Sequence, residues 1–231
     1  MGTLYGVSTG AGDPQLMTVK AVRILESCGV IAAPRTKGRD TLALSIARKA
    51  ADLSGKRIIY LDYAMSRESS VIAENCRRIA DMLCNELENA DVAVPVLGDI
   101  SVYSTFSRIA SLVEERGFPV EICAGVTSFS AAAAALGMPL CLGSEPLHIL
   151  PCGCGGFEEL LDLGGTKVIM KTGKNAAELM EILQKKGLSR RTSIVENCGL
   201  EDQRIYRADD DIPGDVGFFT VFIVKESSDE A

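Results

Sequence analysis

From residue 3 to residue 123, short apolar runs alternate with longer amphipathic stretches, and no other feature limits the possible folds as tightly. Residues 3–7, 30–33, 56–61, 92–97 and 119–123 carry the β-prone clusters. Between them apolar residues recur at three- and four-residue steps, as on one face of a helix. Leu16, Val19, Ala21, Val22 and Leu25 mark the first face, which Asp13 as N-cap and Pro14 at the first helical position would open. Residues 41–51 form the second. Val71, Ile72, Cys76, Ile79, Met82, Leu83 and Leu87 line the third, within residues 69–88. Ile109, Leu112 and Val113 line the fourth, expected to run from about residue 98 to about Arg116 and to end at Gly117. Parallel strands need crossover connections, and a parallel sheet must be covered on both faces. Residues 1–124 are therefore expected to form an α/β domain with a five-stranded, largely parallel sheet between helical layers.

The pattern changes after residue 124. A run of five alanines, Ala131 to Ala135, favours a helix that packs closely, which suits a helix between two domains. Residues 147–150, 167–171, 193–196, 203–207 and 218–224 read as strands, and residues 156–163 and 176–186 as helices. The strands after residue 193 follow one another with no helix between them, so they should pair antiparallel. Residues 125–231 are thus expected to form a second αβα domain around a mixed sheet, with residues 227–231 frayed.

With 47% hydrophobic residues in 231, the chain can bury a sizeable core. A formal net charge of −7 argues against a general nucleic-acid or membrane-surface binder, which would carry a basic stripe. The opening residues lack a basic flank followed by a long apolar core, Gly6 breaks the myristoylation pattern, and no apolar run is long enough to span a bilayer. A cytoplasmic protein is expected. The eight cysteines are scattered through apolar segments, as reduced thiols are, and Cys152-Gly153-Cys154 has no second pair or nearby histidine to complete a metal site. No protein-bound metal is expected.

Gly6, Gly10 and Gly12 miss the dinucleotide spacing, and Ala32 and Ala33 stand where a ribose-binding acid should be. A nicotinamide oxidoreductase is disfavoured. There is no P-loop and no nucleophile elbow. The single histidine, His148, lies in an apolar strand, where a hydrogen-bonded core role competes with a catalytic one. What remains is three loops of small residues at expected strand ends, 8–13, 98–105 and 124–130, where open α/β sheets bind ligands. In the second, Leu97-Gly98-Asp99-Ile100-Ser101-Val102-Tyr103-Ser104-Thr105-Phe106, Asp99 or Ser101 could equally serve as a plain helix cap. The loops supply no nucleophile, which suits an enzyme whose cofactor carries the reactive group. Arg35, Lys37 and Arg39 put three positive charges in five residues, either a solvated linker or a clamp for ligand carboxylates.

Three strings resemble the signatures of the S-adenosylmethionine-dependent tetrapyrrole methylases, in order and spacing over essentially the whole chain. They are Gly10-Ala11-Gly12-Asp13-Pro14 with Leu16-Met17-Thr18 and Ala21, then Leu97 to Tyr103, then Ala124-Gly125-Val126-Thr127-Ser128. Ser101 to Phe106, Ser128-Phe129-Ser130-Ala131-Ala132 and Leu150-Pro151 look most like the branch that methylates carbon 20 of precorrin-2 or cobalt-factor II. Two strings depart from the family. Its usual Pro-Gly-Asp-Pro reads Ala11-Gly12-Asp13-Pro14, and its Gly-Asp-Pro reads Gly98-Asp99-Ile100, the latter change being common in that branch.

The resemblance implies a homodimer of two-domain subunits in cobalamin biosynthesis, with the methyl donor in a cleft between the domains and S-adenosyl-L-homocysteine as product. Gly98, Asp99, Val102 and Tyr103 would contact the methionine part, with Ser104 or Thr105 nearby. Ser128 and Phe129 would lie near the amino-acid or ribose groups, and Met170, Cys198 and Thr220 near adenine. Gly10, Gly12 and Asp13, with Arg35, Lys37 and Arg39, would hold the tetrapyrrole. The methylated meso carbon must lose a proton, and Asp13, Asp99, Tyr103, Glu145 and His148 are the titratable groups in or near the loops. Asp99 fits a cofactor loop better than acid catalysis. Alternatives are a methylase of another ring position or of uroporphyrinogen III, and a tetrapyrrole-binding protein without turnover.

Overall fold

Val92, Ala93 and Val94 leave no polar side to face water, and in the computed structural model all three are fully buried at the centre of a sheet. The structure describes residues 1–36, 39–64, 66, 68–208, 210, 216–217 and 219–226. They fall into two compact units, Met1–Thr127 and Ser128–Ala231, each with its own sheet.

In the first unit, β1 (Leu4–Ser8), β2 (Val30–Thr36), β4 (Arg57–Asp62), β5 (Val92–Val96) and β6 (Val120–Cys123) run parallel in the order β4-β2-β5-β1-β6. The short β3 (Arg39–Asp40) folds back antiparallel on the end of β2. Helices α1 (Val19–Ser27), α2 (Leu42–Ala50), α3 (Ser69–Leu87) and α4 (Phe106–Glu114) cover the two faces. Leu4, Val30, Val92 and Val94 pack with Ile79, Leu83, Ile109 and Val113 on one side. Val7, Ile31, Ala33 and Ala93 pack with Leu25, Leu44 and Ile46 on the other. Neighbours along a strand thus feed opposite cores, which is why these strands read as unbroken apolar runs. Each fully buried Leu or Ile contributes about 1.5–3 kcal/mol of hydrophobic stabilisation.

The five expected parallel strands and the expected helices are all present, with three local differences. Asp13 and Pro14 open a single 3-10 turn, Pro14–Leu16, in which Asp13 accepts a hydrogen bond from the Gln15 N–H at 2.8 Å. Helix α1 starts later, because Thr18 accepts from the Ala21 N–H at 3.1 Å and supplies the cap. The expected helix from residue 98 begins only at Phe106, since Gly98 (φ +75°) and Tyr103 (φ +53°) both take left-handed backbone that a helix excludes. Finally, the basic linker is a hairpin: Arg35 and Thr36 continue β2 and pair with Asp40 and Arg39 of β3. Lys37 lies outside the described residues, as does the side chain of Arg39.

The second unit orders its strands β10 (Arg204–Tyr206), β9 (Thr192–Glu196), β11 (Thr220–Val224), β8 (Thr166–Met170) and β7 (Leu147–Pro151). Only β7 and β8 pair parallel, and the expected antiparallel strands follow residue 192. Helices α6 (Phe157–Leu161) and α7 (Ala176–Lys185) cover a core of Leu150, Ile169, Ile194 and Phe222. The alanine helix α5 (Ser128–Leu136) lies on β9 and β11, where small side chains permit close approach.

Candidate functional site

All five parallel strands of the first unit end at one edge, and there the expected loops meet. Thr9 holds Val96 through its N–H (2.8 Å) and its hydroxyl (3.1 Å), which keeps the ends of β1 and β5 together. One step further, Gly10 and Gly98 exchange backbone hydrogen bonds of 3.2 and 2.7 Å. Gly10 (φ +67°) and Gly98 take conformations that L side chains rarely adopt. The Ser8 hydroxyl accepts from the Ile100 N–H at 2.9 Å.

Asp99 joins the third loop to the other two. Its Oδ1 accepts from the Ser101 N–H at 2.9 Å and from the Ser101 hydroxyl, while Oδ2 accepts from the Gly125 N–H at 2.6 Å. Gly125 is required by space: a Cβ there would stand 2.4 Å from Ser8 Cβ and 3.2 Å from the Gly98 carbonyl oxygen. Asp99 is only 8% exposed. Burial pushes its carboxyl up, but the Ser101 hydroxyl and the Gly125 and Ser101 N–H groups outweigh it and hold the group below the usual carboxylate range. A carboxylate so engaged positions the loop and has little capacity left to move protons.

Beyond Ser101 the loop turns outward. Tyr103 is 43% exposed and strained for a non-glycine residue, the kind of backbone that clusters at functional sites. Val102 and Ser104 are half-buried, and the Ser104 hydroxyl caps α4 by accepting from the Phe106 N–H at 3.1 Å. Burial pushes the Tyr63 phenol well above its ordinary value, against a smaller downward pull from Thr105 beside it. Tyr63 had no motif to mark it; only the parallel arrangement of β4 and β5 brings it to this loop.

Other expected site residues have separate places. Asp13 is half-buried and engaged with Gln15. Arg35 forms a two-pronged pair with Asp62. Glu145 accepts from the Thr166 hydroxyl (2.7 Å), the Leu142 N–H (3.1 Å) and Lys225 Nζ (3.2 Å), with the Thr166 hydroxyl foremost in holding its carboxyl low. His148 Nε2 lies 2.9 Å from the Gly164 carbonyl oxygen and donates to it.

The remaining residues belong to the second unit. Ser128 and the buried Phe129 open α5. Strands β7, β8 and β9 finish at one edge of their sheet, where β11 begins, and this gathers Met170, Cys198 and Thr220. Burial raises the Cys198 thiol, and the Thr220 hydroxyl donates to the Gly217 carbonyl at 2.7 Å. Lys171 (φ +59°) and Asn197 (φ +51°), just past β8 and β9, are left-handed without being glycine. At the same edge Thr172 Oγ1 and Glu196 Oε2 are buried without a hydrogen-bond partner among the described residues. Sequence periodicity marks none of these four, because strain and satisfaction depend on through-space neighbours. Among the described residues, no helix is long and apolar enough to cross a membrane, and no three His, Cys, Asp or Glu side chains gather as a metal site.

Comparison with known proteins agrees with this architecture. The model of the tetrapyrrole (corrin/porphyrin) methylases matches residues 3–210. A probable cobalt-precorrin-2 C(20)-methyltransferase of Methanocaldococcus jannaschii is 34% identical over 203 residues, 87% of this chain and 85% of that protein. The cobalt-precorrin-2 C(20)-methyltransferase of Salmonella typhimurium is 32% identical over 237 residues, covering 97% of each. Among solved structures, the uroporphyrin-III C-methyltransferase of Thermus thermophilus, complexed with S-adenosylhomocysteine, aligns with a TM-score of 0.67 at 20% identity, over 97% of this chain and 92% of that one.

Proposed function

This chain belongs to the tetrapyrrole methylase family, whose members use S-adenosylmethionine, and from that premise we propose that it methylates carbon 20 of precorrin-2 or cobalt-factor II on the route to cobalamin. The observation that carries the reading is the joining of the three loops through Ser8, Asp99 and Gly125. Their lining suits a sulfonium. Residues 98–105 contain no Lys or Arg, and their one formal charge is the carboxylate of Asp99. The donor supplies an electrophilic methyl group, so the protein's task is mainly to orient and to exclude water.

In this reading Gly98, Asp99, Val102 and Tyr103 hold the methionine part, with Ser104 and Thr105 beside them. Ser128 and Phe129 serve the amino-acid or ribose groups, and Met170, Cys198 and Thr220 the adenine. The Thr172 hydroxyl, which has no hydrogen-bond partner among the described residues, and the Glu196 Oε2, which Arg204 approaches only to 3.9 Å, make that second edge suitable for a ligand with hydrogen-bonding edges. Gly10, Gly12 and Asp13 face the macrocycle, and Arg35, Lys37 and Arg39 its carboxylates. Asp99 and Glu145 already accept three hydrogen bonds or more, so the proton acceptors to test are Asp13, Tyr103 and His148, whose Nδ1 keeps its lone pair while Nε2 donates to Gly164. The active form is a homodimer.

The test is anaerobic turnover of precorrin-2 and of cobalt-factor II with a carbon-13 methyl donor, read by mass spectrometry and carbon NMR. A single new methyl at carbon 20 is expected. A methyl at another ring position, or on uroporphyrinogen III, would reassign the branch. Bound macrocycle without S-adenosylhomocysteine would make the protein a carrier.

A further inference from the structure

Arg35 and Asp62 are direct partners across the parallel pair β2–β4, at the carboxyl edge where the ligand loops also lie. Arg35 Nε donates to Asp62 Oδ1 and its NH2 group to Oδ2, both at 2.8 Å, the fork geometry by which arginine binds a carboxylate. The two sides of the pair are held differently. The guanidinium carbon sits 4.9 Å from the centre of the Tyr60 ring, a neutral support that does not depend on any anion. The Asp62 backbone is fixed from α3: its carbonyl accepts from Asn75 Nδ2 (2.9 Å) and from Arg78 (3.1 Å), while Asn75 Oδ1 accepts from the Ala64 N–H (3.0 Å). The Asp62 main chain is thus held independently of Arg35. The Asp62 side chain is 52% exposed, and an exposed pair adds little to stability, so the fold does not depend on it.

We propose that Asp62 is a built-in stand-in for a substrate carboxylate, holding Arg35 ready on Tyr60 and yielding it to a carboxylate on the rim of the incoming tetrapyrrole. Asp62 is a positioning residue, and it makes selection competitive: only a ligand whose carboxylate outmatches it engages Arg35. The inference rests on the tetrapyrrole reading above and deepens it.

The experiment compares wild type, Asp62→Asn, Arg35→Ala and the double variant, using two readouts. One is the Kd for uroporphyrin III, a stable porphyrin bearing eight carboxylates, by fluorescence titration. The other is KM and kcat for precorrin-2. Removing the Asp62 carboxylate from beside Arg35 should tighten uroporphyrin binding about two- to fivefold in Asp62→Asn, with the change in turnover falling on KM. Arg35→Ala should weaken binding about tenfold, the loss of a charge-assisted contact. The gain from Asp62→Asn should vanish in the double variant. Weaker binding by Asp62→Asn, an equal gain with and without Arg35, or no binding by wild type would each overturn the proposal. Uroporphyrin binding needs no turnover, so the four-variant pattern can stand even if methyl transfer fails, and methyl transfer can stand if the pattern fails.

Discussion

Two carboxylates stand at the same edge of the first sheet and behave in opposite ways. Asp99 is buried, and its partners are backbone N–H groups and a neighbouring hydroxyl that cannot leave. Asp62 is half exposed, and its side-chain partner is the part-exposed guanidinium of Arg35. Position along the chain separates them less than surroundings do. A carboxylate whose partners are main-chain groups becomes a staple, and one paired with a part-exposed side chain becomes exchangeable.

The sharpest way to break the comparison is Asp99→Ala. It leaves the Gly125 and Ser101 N–H groups without their acceptor, and should cost about 3 kcal/mol in urea unfolding and abolish donor binding by calorimetry. If stability barely moves, Asp99 is no staple. Gly125→Ala should follow at about 2 kcal/mol, because the new Cβ meets Ser8 Cβ at 2.4 Å, where neither backbone can retreat. Gly98→Val is milder for the fold, since nothing lies within 4 Å of its Cβ, and the cost of about 1–2 kcal/mol is conformational. The same open space is where the donor should sit, so donor affinity should fall at least tenfold, and retained affinity would return residues 97–106 to a plain turn.

The pH dependence sharpens the contrast further. The Asp99 carboxyl is held below its unfolded value, so the stability it contributes is fully present above an unfolded pKa of about 3.9 and is lost as pH falls toward its folded value. Thermal unfolding of Asp99→Asn between pH 6 and pH 3 should therefore lose part of the wild-type slope. Asp62 is also held low, first by the Arg35 guanidinium, but in the open. Asp62→Asn should give the smallest stability effect, a Tm change of at most a few degrees by calorimetry.

Much of this was legible beforehand. The five parallel strands were, because strands that feed cores on both faces need unbroken apolar runs. The loops 8–13, 98–105 and 124–130 were, because glycines beside hydroxyls have few other uses at strand ends. The start of α4 was not: periodicity at Ile109, Leu112 and Val113 extends smoothly back toward Gly98, and nothing local announces that Tyr103 is left-handed. The basic run 35–39 reads as a solvated linker or a carboxylate clamp, and nothing in it announces that Arg35 is already matched by Asp62. Tyr63, Thr172 and Glu196 went unmarked, because a phenol, a hydroxyl and a carboxylate become informative only once their neighbours are known.

The sequence by itself determined the alternation of strand and helix and the composition of the loops. These follow from interactions within a few residues, and from the need to bury apolar side chains at a fixed period. Tertiary structure alone decided what each polar group does. Ser8 meets Ile100 from 92 residues away, Asp99 meets Gly125 from 26, and Arg35 meets Asp62 from 27. Parallel pairing sets those meetings through strand order and register, and the burial that comes with them settles whether a carboxylate is a staple or an exchangeable partner.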